Sequence, residues 1–255
     1  MSNAYDQFSP PPVQKQNTGL IIVIVLSIVA IPVAIGCMGI LIGLLLPAVQ
    51  AGREAARRAQ CSNNLKQIGL ALLNYESDYK SLPPAYTTDE SGRRLHSWRT
   101  LILPYMEQQA LYDSIDLSKP WDDPANQAAA STFVSAYTCP SSVAADRAPV
   151  NTVYQVVVDP SSIFPGGASV KFGDVADGLS NTVMVVETAT ADAVPWMSPQ
   201  DSDLQKFVAV GKTHHAGGGN HLMGDGSVRF LPSELDSATR QALVTSQGGE
   251  TVGLD

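Results

Sequence analysis

Charge is scarce in the first fifth of this 255-residue chain. Between Gly19 and Leu46 there are 28 residues without one charged side chain, and 18 of them are Leu, Ile or Val. A helix of that length is on the order of 42 Å long, against a hydrocarbon core of about 30 Å. Each such aliphatic residue favours insertion by roughly 0.3–0.6 kcal/mol near the bilayer centre. The run excludes a plain soluble enzyme and predicts a transmembrane helix over 19–46.

Two further absences narrow the class. A secretory signal peptide has a basic start, a shorter apolar stretch and a small-residue cleavage site. None of these is present. Residues 1–18 hold one Asp, one Lys and the run Ser9-Pro10-Pro11-Pro12, which predicts a disordered polar tail. Catalytic signatures are also missing: no Gly-x-Ser-x-Gly elbow, no phosphate loop and no Gly-x-Gly-x-x-Gly between a strand and a helix. Asp122-Asp123 and Asp201-x-Asp203 read as solvated loop carboxylates. The expectation is that the chain is not an enzyme.

Cysteine is scarce too. Cys37 falls inside the span, where it serves as a small apolar residue. Cys61 and Cys139 lie outside it. They either pair in a disulfide, which requires an oxidising compartment, or stay as two buried thiols.

The formal net charge is −8, unevenly spread. Arg53, Arg57 and Arg58 follow the span with only Glu54 against them, and suit lipid phosphates. Beyond Gln60 there are 12 basic and 22 acidic residues, so a nucleic-acid partner is not expected.

After Pro47 the pattern remains helical. Ala, Glu, Arg and Gln fill 48–58, and Leu65, Ile68, Leu72, Tyr75 and Tyr79 recur at helical spacing. This predicts a stalk over 47–82, basic and solvated at first, then buried along one face until Leu82-Pro83-Pro84 ends it. Within the span, Gly36, Gly39 and Gly43 share one face, and Gly39 with Gly43 forms a GxxxG that would admit another helix. Glycines are also common in spans, and Pro32 needs a neighbour that relieves its kink.

These residues resemble a known family. Leu44-Leu45-Leu46-Pro47-Ala48-Val49-Gln50-Ala51-Gly52-Arg53-Glu54-Ala55-Ala56-Arg57-Arg58, followed by Cys61-Ser62-Asn63-Asn64-Leu65-Lys66-Gln67, is similar to the start of a bacterial pilin-like family of unknown function. That family carries a prepilin-type N-terminal helix and a C-terminal H-x9-DG motif. The likeness continues through Ser97-Trp98-Arg99, Leu103-Pro104-Tyr105-Met106-Glu107-Gln108, Pro120-Trp121-Asp122, Cys139-Pro140-Ser141 and Asp177-Gly178-Leu179-Ser180-Asn181-Thr182 leading to Glu187. It ends with His215, Asp225-Gly226 nine residues beyond it, and Gly248-Gly249-Glu250.

The resemblance implies a pilin-like fold, a long helix whose distal half packs on a small antiparallel sheet outside the cytoplasmic membrane. Pilins are cut after a glycine, and a glutamate five residues on registers the filament. Counted back from Pro47, those positions are Val25 and Ala30, and the other candidate, Gly19, is followed by Ile24. An uncleaved signal anchor is therefore expected, and filament assembly is not implied. The arginine cluster, by the positive-inside rule, favours a cytoplasmic head. The resemblance and the possible disulfide favour the outside, which is the orientation adopted.

The 173 residues of 83–255 suffice for a core. Helical segments over 98–115, broken at Pro104, and from Asp123-Pro124 precede strands at 152–158, 183–188, 207–210, 221–223 and 227–231. A last helix is expected over 233–244. Helices followed by strands predict an α+β head. Asp225-Gly226 suits a two-residue hairpin turn with positive φ angles. His215, in a glycine-rich loop, could pin that loop to the hairpin.

Metal readings are weaker. His214, His215, His221 and Asp225 match no zinc spacing. Asp174, Asp177 and Glu187, with Ser180 and Asn181, could supply oxygens to calcium, though the same residues build Asx turns. The function expected is a membrane-anchored, pseudopilin-related structural or interaction protein, partnered by the bilayer and by pilin-like subunits. The alternative is an anchored module that binds calcium or a glycan.

Overall fold

The structure, a computed structural model, describes residues 18–142, 150–209 and 215–249. The expected tail, His214 and Glu250 lie outside those residues, as does the Cys37 side chain. By contacts the chain divides into Met1–Arg53 and Glu54–Asp255.

One element, α1 (Thr18–Tyr79), supplies most of the first unit and enters the second. Pro32 and Pro47 are accommodated inside it. In the first unit its described large apolar side chains are exposed, Ile28 by 66% and Leu44 by 70%. A Cβ placed on Gly36, Gly39 or Gly43 would meet nothing within 4 Å. Among the described residues α1 is the one helix long and apolar enough to cross a membrane.

The second unit is α+β. Cys61, Leu65, Ile68, Ala71 and Leu72 on α1 are fully buried, whereas Tyr79, at the end of the predicted apolar face, is 63% exposed. The helix stops where Lys80 adopts φ +57°, two residues before Leu82-Pro83-Pro84. Short elements follow: β1 (Tyr86–Thr88), β2 (Arg94–Ser97), α2 (Trp98–Leu101), α3 (Gln109–Asp113) and α4 (Gln127–Ala130). The break near Pro104 is a 3-10 turn over Leu103–Met106, closed by Glu107 at φ +59°. Asp123 caps as expected, its carboxylate accepting from the Ala125 amide at 2.9 Å, though the first turn is 3-10.

The predicted strand at 152–158 is three fragments, β3 (Asn151–Thr152), β4 (Tyr154–Gln155) and β5 (Val157–Val158). Then come β6 (Val183–Glu187), β7 (Val194–Pro195), β8 (Ser202–Asp203), α5 (Leu204–Ala209), β9 (Gly218–Met223), β10 (Val228–Pro232) and α6 (Ser237–Val244). The main sheet has the order β10-β9-β6-β4, antiparallel throughout. Helix α1 lies close on it: a Cβ on Gly69 would stand 2.7 Å from Leu222 Cδ1 of β9.

Three expectations change. Phe207 is on α5, not on a strand, because the Asp203 carboxylate accepts from the Lys206 amide at 2.7 Å and starts a helical turn. Asp201 is not solvated. It pairs with Arg99 at 2.7 Å, and both side chains are fully buried. Arg99 also donates to the carbonyls of Tyr154, Trp196, Ser198 and Gln200, so its whole guanidinium is engaged. Burial pushes the Asp201 carboxyl up, against the opposing pull of Arg99.

The hairpin turn is the third. Only Gly226 has positive φ, +84°. Its amide donates to the Met223 carbonyl at 3.0 Å, and the Met223 amide donates to the Ser227 carbonyl at 2.8 Å. The loop is thus the three-residue kind, a turn followed by one left-handed glycine, rather than a two-residue turn. Asp225 contributes as an acceptor, taking the Ser227 amide at 2.9 Å.

Candidate functional site

Glu54 stands at the start of the second unit on α1. One turn on, Arg57 donates to its Oε2 from Nε at 2.9 Å and from the guanidinium terminus at 2.6 Å. Ser141 Oγ donates to Oε1 at 3.0 Å. His215 Nδ1 lies 3.0 Å from the same Oε1. Arg58 stacks over the Phe230 ring of β10, 3.4 Å from its centroid. Arg57 and Arg58, two of the three arginines expected to suit lipid phosphates, thus each have a partner in the second unit.

Glu187 ends β6 with its side chain fully buried. Its Oε2 accepts from the Asn220 amide at 2.8 Å and from Asn220 Nδ2 at 3.1 Å. Its Oε1 is 3.5 Å from His215 Nε2. The imidazole thus sits between two carboxylates, one from the helix and one from the sheet. A disulfide joins Cys61 and Cys139, which settles the cysteine alternatives in favour of pairing. Cys139 Sγ is 3.9 Å from His215 Nε2.

Glycine makes the approach possible. Gly217 has φ +84°, and a Cβ on Gly218 would collide with the Leu231 carbonyl and stand 2.8 Å from the Phe230 ring. The strand that follows His215 can therefore press against β10. Burial works against a charged imidazole, but the bonds and charges of Glu187 and then Glu54 outweigh it, so the His215 pKa is raised above the ordinary value. Burial likewise works against the Glu54 carboxylate. Bonds from His215, Arg57 and Ser141 outweigh that, and its pKa is lowered.

His215 accordingly reaches Glu54 and Glu187, while the Asp225-Gly226 turn engages a different segment. The Gly224 amide donates to the Thr182 carbonyl at 2.8 Å and the Asp225 amide to the Leu179 carbonyl at 3.2 Å. Gly178, at φ +83°, opens that segment; Asn181 Nδ2 donates to the Asp177 carbonyl at 3.1 Å and Thr182 Oγ1 to the Gly178 carbonyl at 3.2 Å. Ser180 is half-buried in the same turn. The Asp177 carboxylate accepts the amides of Gly248 at 2.9 Å and Gly249 at 2.5 Å. Three motifs distant in sequence thus meet, two through backbone bonds and the third through the Asp177 carboxylate.

Among the described residues, the cluster of His, Cys and carboxylate ligand atoms close enough to share a metal ion is Cys61, Cys139, Glu187 and His215, all within 4.8 Å of one another. Of the calcium candidates it contains Glu187 alone. Asp174 is exposed, in a 3-10 turn, and Asp177 is bonded to the glycine amides. His221 is buried, its Nδ1 2.9 Å from the Gly219 carbonyl, and burial lowers its pKa to about 4. Sequence reasoning missed Glu54 altogether, having read it as a counter-charge in a basic run.

A long N-terminal helix whose distal part packs on an antiparallel sheet, with a disulfide and a histidine bridging two glutamates where they meet, defines an α+β architecture. The chain belongs to the family described as "Protein of unknown function (DUF1559)", whose model matches residues 50–212. The match takes in Glu54, both paired cysteines and Glu187, and ends before His215. No curated protein and no solved structure matches the chain.

Proposed function

We propose that this is a membrane-anchored, pilin-like structural or interaction protein that holds its head on the extracytoplasmic side of the cytoplasmic membrane. One observation carries the reading: α1 leaves its large apolar side chains from Ile21 to Leu46 exposed, yet fully buries Leu65, Ile68 and Leu72. An apolar surface of that length has no stable exposure to water, and lipid is the cover its length fits. The disulfide supports an oxidising side, and hence export. The helix packed on an antiparallel sheet supports the pilin-like arrangement, as does the order of sequence motifs.

On this reading the function is mechanical. The span tethers, uncleaved, and the head offers a surface to neighbours. The test is fractionation with intact-mass analysis. The chain should pellet with membranes after an alkaline carbonate wash, keep its full mass, and lose its head to protease added outside. A soluble full-length chain contradicts the anchor. A shortened chain with a methylated new N-terminus would instead support filament assembly.

A second reading, an anchored glycan-binding module, is favoured by a cavity of about 430 Å³ in the head. Arg94, Gln155, Lys206 and His221 line it beside the ring of Phe207. Such a mixture of donors, acceptors and one aromatic ring suits sugar hydroxyls. Calorimetric titration with glucose and galacturonate, as neutral and acidic probes, tests it; heat of binding that disappears in His221→Phe supports it.

A further inference from the structure

We propose that Cys61, Cys139, His215 and Glu187 form a zinc site in the reduced chain, a site that the disulfide closes. Tetrahedral zinc, with bonds of about 2.3 Å to sulfur and 2.0–2.2 Å to nitrogen or oxygen, places neighbouring ligands roughly 3.3–3.8 Å apart. His215 Nε2 stands 3.9 Å from Cys139 Sγ and 3.5 Å from Glu187 Oε1, close to those edges. All four ligand atoms lie within 4.8 Å of one another. The two sulfurs must part once their bond is broken, and the remaining pairs, none farther apart than 4.8 Å, must close to those edges.

The surroundings are those of a built site. A zinc-bound histidine donates its other ring N–H to a carboxylate, which fixes the tautomer and the ring plane. His215 Nδ1 faces Glu54 Oε1 at 3.0 Å, and Arg57 and Ser141 hold that carboxylate in turn. The second oxygen of Glu187 is oriented by the Asn220 amide and side chain. Two thiolates and an imidazole select zinc over calcium or magnesium, which take oxygen ligands.

The chemistry balances with a phosphine or thiol reductant. A phosphine takes up the oxygen of one water as the Sγ–Sγ bond breaks, leaving a phosphine oxide and two thiols. Zinc then binds both sulfurs with release of their two protons. His215 presents the Nε2 lone pair, keeps its proton on Nδ1 toward Glu54, and sheds any second proton to solvent. Oxidation reverses this: the sulfurs give up two electrons to the oxidant, join, and expel the metal. The chain in a reducing compartment would thus be held by zinc at the same place where the exported chain is held by a disulfide.

The test uses the full-length chain in detergent micelles, reduced with a phosphine, freed of metal and then titrated with zinc or cobalt(II). The reduced chain should take up one zinc per chain, and cobalt should give a thiolate-to-metal charge-transfer band; the oxidised chain should do neither. Glu54→Gln, which leaves all four ligands in place, should weaken zinc binding by about tenfold or more. Should the reduced metal-free chain lose its near-ultraviolet circular dichroism, zinc must restore it, and failure to do so overturns the proposal. Equal zinc uptake by the Cys61→Ser/Cys139→Ser double variant, or cobalt bound without the charge-transfer band, overturns it as well.

Discussion

His215 and Glu54 are 161 residues apart in sequence, and His215 Nδ1 lies 3.0 Å from Glu54 Oε1. With Glu187 on the other side of the ring, the imidazole fastens the helix to the sheet. Removing it breaks the buried pair with the Glu187 carboxylate, a loss that typically costs about 3–5 kcal/mol. His215→Ala should lower stability by that order in denaturant unfolding of the oxidised chain. Glu54 is about one-third exposed, so Glu54→Gln should cost less than about 1 kcal/mol. Equal effects would contradict the assignment.

Gly226 combines φ +84° with a close neighbour, since a Cβ there would sit 2.9 Å from Leu73 Cδ1. Gly226→Ala should destabilise the chain by roughly 1–3 kcal/mol. Asp225→Asn keeps an oxygen acceptor for the Ser227 amide and should be nearly neutral. Thermal melts of the two variants check the contrast.

His221 is held neutral by burial, with its pKa lowered to about 4. Because the folded value is below the unfolded one, its contribution is fully present above about pH 6.5 and is lost as pH falls toward 4. The loss is on the order of 3 kcal/mol. His221→Gln should flatten the stability profile between pH 6.5 and 4; an unchanged acid limb would contradict the burial argument. His215 has the opposite sign, with a raised pKa, and stabilises at acid pH until it deprotonates.

The disulfide closes a loop of 78 residues. Loop-closure entropy gives it about 4.5 kcal/mol, an upper figure where the reduced chain keeps residual structure. Reduction under metal-free conditions should lower the unfolding midpoint correspondingly. Reduction without effect would mean that packing alone holds α1 to the head.

Much of this architecture is legible in the sequence where one local pattern decides it. The uncharged run is the exposed half of α1, and the spacing of Leu65, Ile68 and Leu72 gives the buried face. The strand at Val183 and the hairpin around Asp225-Gly226 are in place, whereas the sequence leaves the pairing of Cys61 with Cys139 as one of two alternatives. What is not legible depends on tertiary partners. Phe207-Val208-Ala209-Val210 reads as a strand because its residues favour one, but Asp203 caps a helix and Phe207 packs edge-on to His221. Glu54 sits among arginines and reads as a counter-charge; nothing local shows that its acceptor oxygen faces a histidine at the far end of the chain. Asp201 looks like a loop carboxylate until Arg99 is found beside it in the core.

The proposed placement, a tethered chain with its head outside, is tested most directly by side-specific labelling of Cys61 and Cys139 in intact cells, on a Cys37→Ser background. A membrane-impermeant maleimide, applied in urea sufficient to open the head, should label neither sulfur before treatment with an impermeant phosphine and both after it. Labelling without reduction, and only once the membrane is permeabilised, would place reduced thiols in the cytoplasm and contradict the account.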